Sequence, residues 1–317
     1  MKAALVRGKG QTPVYGDFAE PVAEAGERLV HVTAAALSPL VRARASGAHY
    51  SSSGQFPFVA GVDGAGRLDD GRRVVFLLPR PPFGAMAERT VVPEERCVAI
   101  PDGLDDATAA AMANPGMSSW AAFVERAKLK TGETVLINGA TGAAGRLAVP
   151  IAKYLGAKKV IATGRNEAVL RSLAAVGADV TIPLSQDGDA LETRLKEEFA
   201  AGVDVVLDYL WGPSAQTMLI AAAKAGRDGV PIRVVQIGSI GGAEISLPGA
   251  VLRSTAIELM GSGIGSVSLE RLLAAVESVL QAAVPGKFTV ATQQVPLSDV
   301  ERAWSSDDAA GRIVFTV

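Results

Sequence analysis

This chain of 317 residues contains very few cysteines and histidines. A single cysteine, Cys97, excludes an intrachain disulfide, and we expect a reducing, cytoplasmic setting for such a sequence. Cys97 and the two histidines, His31 and His49, are too few for a zinc site made of cysteine and histidine. Structural zinc sites take four such ligands and catalytic sites typically three, so the sequence predicts no metal centre of this kind.

Neither charge nor hydrophobicity is concentrated in one segment. The formal net charge is −2 and no basic block occurs, which argues against a nucleic-acid or membrane-surface partner. The longest apolar stretches are of strand length or are interrupted by charges, so we expect no membrane-spanning helix. The N-terminal sequence MKAALVRGKG also lacks an apolar core of signal-peptide length. A hydrophobic content of 49% and this chain length instead favour two globular domains.

Residues 134–163 carry the most informative pattern in the chain. Thr134–Ile137 has the length and the β-branched content of a buried strand. The glycine-rich turn Asn138–Gly145 follows, and Arg146–Leu155 has apolar residues at helical spacing. A second apolar run, Lys159–Ala162, completes a βαβ unit of about thirty residues, which is the layout of a dinucleotide-binding fold.

The glycine spacing G-x-x-G-x-x-G indicates how this turn would hold a pyrophosphate. Gly139 and Gly142 permit a tight turn and a close approach of the ligand, and Gly145 lets the helix pack against the strand. The free N–H groups at the helix start would face the phosphates, assisted by the helix dipole. A purely structural turn is the alternative. The predicted phosphate-binding residues are Gly139, Thr141, Gly142, Ala143, Ala144 and Gly145.

The end of the second strand indicates which dinucleotide is bound. A site for NADH usually places Asp or Glu there, whereas this strand runs into Thr163, Gly164, Arg165 and Asn166. An arginine at this point suits a 2′-phosphate, which it binds through a charge-assisted contact. We therefore predict NADPH as the cofactor, with these four residues around its adenosine half. A solvated surface arginine is the alternative reading of Arg165.

The remaining sequence predicts an α/β protein. Residues 1–100 contain short strand candidates separated by Gly, Pro and Asp, as in an irregular, mostly β domain. Two helices are expected over 104–112 and 116–128. From residue 133 strands and helices alternate, which predicts about six parallel strands in a doubly wound Rossmann sheet. The last strand-like pieces, 288–296 and 313–317, are expected to rejoin the N-terminal domain.

Taken together, the motifs resemble the zinc-free quinone oxidoreductase branch of the medium-chain dehydrogenase/reductase superfamily. The resemblance spans nearly the whole chain, although the zinc ligands of the superfamily are absent, Ser38 stands where an Asn is expected and Val41 replaces an acid. The matching segments are Ser38-Pro39 with Gly47 and Tyr50, Gly61–Gly66, Gly116–Trp120, Asn138–Gly145, Val203–Tyr209, Val235–Ser239 and Gly261–Gly263.

This resemblance implies a domain plan, an activity and an assembly. The expected plan is a GroES-like catalytic domain over 1–115, an NADPH-binding Rossmann domain over 116–267 and a segment, 268–317, that rejoins the catalytic domain. The implied activity is hydride transfer from NADPH to a quinone, an enal or an enone. The implied assembly is a homodimer that pairs the edge strand 257–261 of two copies, since an exposed apolar edge otherwise invites aggregation.

Further site residues follow from the resemblance. The residues expected along the nicotinamide are Ser118, Gly238, Ser239, Gly261 and Gly263. Tyr50 and Ser38 are the candidate hydrogen-bond donors to the substrate, because charge that develops on its oxygen needs a donor when no metal is present. A tyrosine that packs a loop and a hydroxyl at a strand end are the respective alternatives. Asp208 is expected to orient backbone beside the cofactor or to act as a satisfied strand-end carboxylate.

Two other functions stay open from the sequence. One is an NADPH-binding sensor or structural protein with little turnover. The other is an enoyl-thioester reductase in a biosynthetic pathway, whose substrate phosphates would need a basic entrance. Arg42 and Arg44 form the candidate patch for that entrance.

Overall fold

The computed structural model describes residues 1–47, 54–306 and 311–317. It divides into two compact units. The first unit combines Met1–Asn114 with Val276–Val317, and the second is Pro115–Ala275.

The strands, in chain order, are β1 (Lys2–Val6), β2 (Val14–Asp17), β3 (Glu27–Ala36), β4 (Phe58–Val59), β5 (Asp63–Leu68), β6 (Arg73–Leu77), β7 (Arg89–Pro93), β8 (Cys97–Ala99), β9 (Thr134–Asn138), β10 (Lys159–Gly164), β11 (Val180–Pro183), β12 (Val205–Asp208), β13 (Ile232–Gln236), β14 (Ile257–Gly261), β15 (Thr292–Pro296) and β16 (Arg312–Thr316). The α-helices are α1 (Pro39–Ala45), α2 (Asp106–Ala121), α3 (Ala143–Tyr154), α4 (Glu167–Ser172), α5 (Gly188–Ala201), α6 (Gly212–Ala225), α7 (Gly249–Arg253), α8 (Leu269–Ala283) and α9 (Val300–Ala303). Short 3₁₀ turns cover Glu94–Arg96, Leu173–Val176 and Leu297–Asp299, and a π-helix covers Ala122–Ala127.

The first unit is built mainly from antiparallel strands. A small sheet has the order β2-β1-β4, and a larger one has the order β15-β16-β3-β5-β6-β8, with β7 also paired to β3. The C-terminal strand β16 runs antiparallel to β3, where Phe315 faces Ala35. The chain therefore returns to its N-terminal sheet at its end.

The second unit contains one sheet of six strands, and every pair within it is parallel. Its order is β11-β10-β9-β12-β13-β14. The chain moves outward from β9 to one edge and then returns to the centre to move from β12 to the other edge. Dinucleotides bind at the carboxyl ends of the strands where the order reverses in this way. The predicted α/β fold with a doubly wound sheet is confirmed, and the reversal lies between β9 and β12.

The region around Pro115 differs from the sequence prediction. We expected two helices, whereas α2 continues through Pro115 and passes directly into the π-helix. Proline removes one intrahelical donor and would end an isolated helix. Here Ala109–Ala113 are completely buried, and packing of this kind stabilises a helix more than local propensity does.

Helix α1 is not among the helices that the sequence analysis predicts. Ser38 precedes it as the N-cap, and Oγ of Ser38 accepts a hydrogen bond from the backbone N–H of Val41 at 3.1 Å. Pro39 occupies the first turn, where its missing N–H costs nothing. The Ser-Pro pair was a readable start signal for this helix.

Within the described ranges, no helix is both long and apolar enough to cross a bilayer.

Candidate functional site

The phosphate loop connects β9 to α3 in the second unit. Gly139 has φ +91°, a left-handed conformation that favours glycine, and the backbone N–H of Ala140 donates to the carbonyl oxygen of Thr163 at 2.7 Å. Gly142 is the N-cap of α3 and offers no side chain to the helix end. The first N–H groups of an α-helix lack intrahelical partners, so those of Ala143 and Ala144 face the turn and are available to an anion.

Gly145 and Gly142 differ in the space that surrounds them. A methyl group on Gly145 would lie 2.4 Å from the carbonyl oxygen of Gly139 and 2.7 Å from Cα of Ala140. Gly145 therefore permits a close approach of helix and turn. At Gly142 the same methyl group would meet its nearest atom only at 3.7 Å, so open space lies in front of this residue. The residues present fit a diphosphate that approaches the backbone at Gly142.

Three buried polar side chains connect the carboxyl ends of the central strands. Oγ1 of Thr163 on β10 donates to Oδ1 of Asn138 on β9 at 2.8 Å. Nδ2 of Asn138 donates to Oδ1 of Asp208 on β12 at 2.8 Å, and also to Oγ of Ser214 at 3.1 Å. Thr163, Asn138 and Asp208 are each no more than 2% exposed. This chain of hydrogen bonds fixes the strand ends beneath the phosphate loop.

Asp208 also organises the turn that follows β12. Its carboxylate accepts hydrogen bonds from the backbone N–H of Leu210 at 3.0 Å and of Trp211 at 3.1 and 3.2 Å. Burial raises the pKa of Asp208, and the backbone donors and Asn138 oppose that shift because they favour the charged form. The carboxylate is thus satisfied at the strand end and orients the backbone of the following turn.

The residues after β10 form the edge of the candidate adenosine site. Gly164 lies against the side chain of Thr141, since a methyl group there would approach Cγ2 of Thr141 to 2.3 Å. Arg165 is exposed, and nothing in the described residues forms a hydrogen bond or ion pair with its guanidinium. Oδ1 of Asn166 accepts from the backbone N–H of Val169 at 3.1 Å and so caps α4. Arg165 is therefore the member of this group whose charge is directed to solvent.

Serines on α2 make contacts that the sequence did not distinguish. Oγ of Ser118, the predicted nicotinamide contact, donates to the carbonyl oxygen of Pro115 at 3.0 Å within its own helix. Its neighbour Ser119 is fully buried and lies 2.7 Å from the phenol oxygen of Tyr209. Oγ of Ser119 also lies 3.2 Å from the carbonyl oxygen of Ala144 in the first turn of α3. Burial raises the pKa of Tyr209, so its phenol stays protonated and ties the end of β12 to α2.

The remaining predicted cofactor residues lie at the carboxyl ends of β13 and β14. The backbone N–H of Gly238 donates to the carbonyl oxygen of Asp208 at 3.2 Å, and Ser239 is exposed. Nε of Arg126 donates to the carbonyl oxygen of Gly261 at 2.7 Å, and the backbone N–H of Gly263 donates to Oγ of Ser266 at 2.8 Å. These glycines thus belong to the same edge of the sheet as the phosphate loop.

The two candidate substrate donors belong to the sequence of the first unit. Ser38 is 2% exposed, and its oxygen is engaged as the cap of α1. Tyr50 lies outside the described residues, as does His49. The catalytic roles of Ser38 and Tyr50 therefore remain predictions.

The first unit also contains a cavity of about 230 Å³. Phe56, Phe58 and Phe83 contribute aromatic walls, together with prolines and backbone. The charged side chains of the described lining are Lys9 and Arg44. Such a cavity accommodates a flat apolar group and has positive charge beside it.

Two residues that the sequence reasoning passed over are prominent in the second unit. Arg146 lies in the first turn of α3, and its Nε donates to the carbonyl oxygen of Thr141 at 2.9 Å, which places a cation beside the phosphate loop. A basic residue directly after the third glycine was the available signal. Trp211 has φ +56°, which no sequence pattern indicates.

Comparisons with known proteins agree with this geometry. The family model described as "Zinc-binding dehydrogenase" matches residues 143–281. A "Probable NADPH-dependent quinone reductase" from Emericella nidulans is 29% identical, with complete coverage of both chains. The quinone oxidoreductase of Thermus thermophilus, which was also solved as a complex with NADPH, is 26% identical with a TM-score of 0.84 and complete coverage of both chains. The chain is thus similar over its full length to quinone reductases, in agreement with the resemblance that the sequence motifs indicate.

A second relative is an enoyl reductase by name. The "Trans-enoyl reductase" from Aspergillus terreus is 31% identical over 50% of this chain and 42% of its own length. The names of these relatives are those of oxidoreductases, which agrees with the activity that the family resemblance implies.

Proposed function

We propose that this chain is an NADPH-dependent reductase that transfers hydride to a quinone or an α,β-unsaturated carbonyl compound. The observation that carries the proposal is the phosphate loop, where open space at Gly142 meets the free N–H groups of α3. The bound cofactor would supply the hydride. The protein would supply the cradle for the phosphates, with Arg146 as an added positive charge.

The preference for NADPH rests on the residues that follow β10. The guanidinium of Arg165 is exposed at the position where a ribose 2′-phosphate would lie. The nearest acid, Glu167, is occupied elsewhere, since its carboxylate accepts from Oγ of Ser185 at 3.1 Å and lies 3.4 Å from Nη1 of Arg171. This engagement of Glu167 supports Arg165 as the residue that meets the ribose 2′-substituent.

The substrate class is supported by the cavity of the first unit. Its aromatic walls, Phe56, Phe58 and Phe83, suit a flat conjugated acceptor such as a quinone, an enone or an enal. Tyr50 and Ser38 remain the proposed donors to the carbonyl oxygen of that acceptor.

An enoyl thioester is the second candidate substrate, and the positions of the basic residues favour it. Arg42, which the sequence groups with Arg44, donates to the carbonyl oxygens of Trp304 at 3.0 Å and Ser306 at 2.6 Å. The guanidinium of Arg42 is therefore held by backbone carbonyl groups of the first unit. It does not form a basic entrance for a substrate. Lys9 takes its place, because it lines the cavity together with Arg44. These two cations would face the phosphates of a carrier thioester.

Assembly and location are part of the same proposal. β14 is at the edge of its sheet, and Leu259 on this strand is 40% exposed. Pairing of this edge between two copies would bury it, which supports a homodimer. A Leu259→Lys variant should then elute as a monomer, whereas an unchanged mass in light scattering would contradict this interface. The single cysteine supports a reducing, cytoplasmic location.

The activity is tested by mixing the purified chain with NADPH and a panel of quinones, 2-alkenals, cyclic enones and an enoyl thioester. Loss of absorbance in the reduced nicotinamide band is the measurement. Turnover with quinones or enals and enones supports the first candidate, and turnover with the thioester alone supports the second. Binding of NADPH without its oxidation by any acceptor would contradict both candidates. It would instead support the alternative function, an NADPH-binding sensor or structural protein.

A further inference from the structure

Trp211 adopts a backbone conformation that side-chain-bearing residues rarely take. Its φ is +56° and its ψ is −156°, in a region that is populated almost only by glycine. Such a conformation persists only where the surroundings impose it, and it is concentrated at binding sites. The strained conformation of Trp211 therefore indicates that this residue has a functional role.

The surroundings fix this turn from both sides. The carboxylate of Asp208 accepts the backbone N–H of Trp211, and the carbonyl oxygen of Leu210 accepts the N–H of Gly241 at 2.7 Å. The next residue, Gly212, has φ +59°, and a methyl group on it would lie 2.5 Å from the carbonyl oxygen of Gly241. The backbone therefore cannot relax at Trp211 without loss of these contacts.

Trp211 lines a shallow hollow at the carboxyl ends of the last two strands. Gln236 and Ser239 contribute from the end of β13, and Leu259, Met260 and Gly261 contribute from β14. In the sheet order, β12 separates this hollow from β9 and the phosphate loop. Arg165 follows β10 on the opposite side of the loop. A dinucleotide with its 2′-phosphate at Arg165 and its pyrophosphate at the loop would extend its other half over this hollow.

We infer that the indole of Trp211 forms a wall of the pocket for the nicotinamide half of the cofactor, and that the strained turn exists to place it there. The inference rests on the proposed function, since it requires NADPH to bind in the predicted direction. An aromatic face beside a nicotinamide ring contributes stacking contact and shields the ring from water. Trp211 thus contacts the nicotinamide half of the cofactor and not the adenosine half.

The test compares two ligands in Trp211→Gly, because glycine keeps this backbone conformation and removes only the indole. Isothermal titration measures the affinity for NADPH and for 2′-phospho-ADP-ribose, which lacks the nicotinamide. We expect the dissociation constant for NADPH to rise at least fivefold and that for 2′-phospho-ADP-ribose to stay within twofold. The melting temperature of the unliganded variant should equal or exceed that of the wild type.

Trp211→Phe and Trp304→Phe complete the design. Phenylalanine retains an aromatic face and should restore part of the NADPH affinity, and Trp304→Phe, in the first unit, controls for loss of a tryptophan. Equal weakening of both ligands in Trp211→Gly would overturn the inference, because it would indicate a distorted turn. Unchanged affinity for NADPH would overturn it as well. Failure of the wild-type chain to bind NADPH would instead refute the proposed function together with the inference.

Discussion

Asn138 and Asp208 share a hydrogen bond of 2.8 Å that joins the carboxyl ends of β9 and β12. These strands are neighbours with Asn138 directly opposite Asp208 in the sheet. The strand order reverses at this pair, and the phosphate loop begins at the next residue, Gly139. The amide of Asn138 is suited to this position, because it accepts from Thr163 and donates to Asp208 at the same time.

Replacement of Asn138 by Asp should destabilise the protein strongly at neutral pH. A second buried carboxylate would face Asp208 and could no longer donate to it, at a cost of about 3 kcal/mol or more in the free energy of unfolding. Asn138→Ala removes the same bonds without the charge and should cost about 1–3 kcal/mol. Urea unfolding at pH 7 and pH 5 is the measurement. The penalty of the Asp variant should shrink at the lower pH, where its carboxyl takes up a proton, and an equal penalty at both values would refute this account.

Arg165→Ala should separate the two nicotinamide cofactors. Loss of a charge-assisted contact to the 2′-phosphate costs about 1.5–3 kcal/mol, which corresponds to roughly a tenfold to hundredfold rise in KM for NADPH. The KM for NADH should change little. Arg171→Ala is the matched control, since this arginine is also exposed on the following helix but pairs with Glu167. Similar losses for both cofactors in Arg165→Ala would contradict the 2′-phosphate assignment.

Alanine at Gly142 and at Gly145 should give different phenotypes. At Gly145 the added methyl group would collide with backbone at 2.4 Å, so both the melting temperature and the NADPH affinity should fall. At Gly142 it would enter open space, so the melting temperature should stay near that of the wild type. The affinity for NADPH should nevertheless fall, because the methyl group would occupy the space of the diphosphate. Thermal unfolding and titration of both variants test this, and unchanged affinity in Gly142→Ala would place the diphosphate elsewhere.

Asp63 should make the stability of the chain fall as the pH rises from about 4 to about 6. Its side chain is 1% exposed, its oxygens have no hydrogen-bond partner among the described residues, and burial raises its pKa to about 6 against the attraction of Arg312. In this window the folded chain keeps a proton that the unfolded chain releases, so ionisation favours unfolding. By pH 7 the loss is on the order of 3 kcal/mol.

Asp63→Asn removes this dependence while it keeps the shape of the side chain. The difference in unfolding free energy between wild type and Asp63→Asn should therefore change across this pH range in urea titrations, and a constant difference would show that Asp63 does not titrate there. Asp70→Asn is a control in which the change of stability with pH should have the opposite sign. The pKa of Asp70 is held below its ordinary range by its hydrogen bonds with Arg72, so this carboxylate loses stabilisation as the pH falls.

The sequence alone determined the local framework of this protein. Strands such as β9 and β10 are continuous apolar runs because parallel strands are buried on both faces, and the glycines between β9 and α3 specify a turn that few other residues allow. The order of elements then implied a doubly wound sheet, and the arginine after β10 implied a phosphorylated ribose. These features depend on residues that are close together in the sequence, so they can be predicted without the tertiary structure.

Only the tertiary structure decided where each of these side chains lies and what it contacts. Arg42 and Arg44 look alike in the sequence, yet Arg42 braces distant backbone and Arg44 lines a cavity. Ser118 bonds within its own helix, whereas Ser119 reaches Tyr209, which is ninety positions away in the sequence. The conformation of Trp211 is imposed by Asp208, Gly212 and Gly241 together. Contacts between residues so far apart along the chain leave no periodic signal, because they arise from the packing of whole elements.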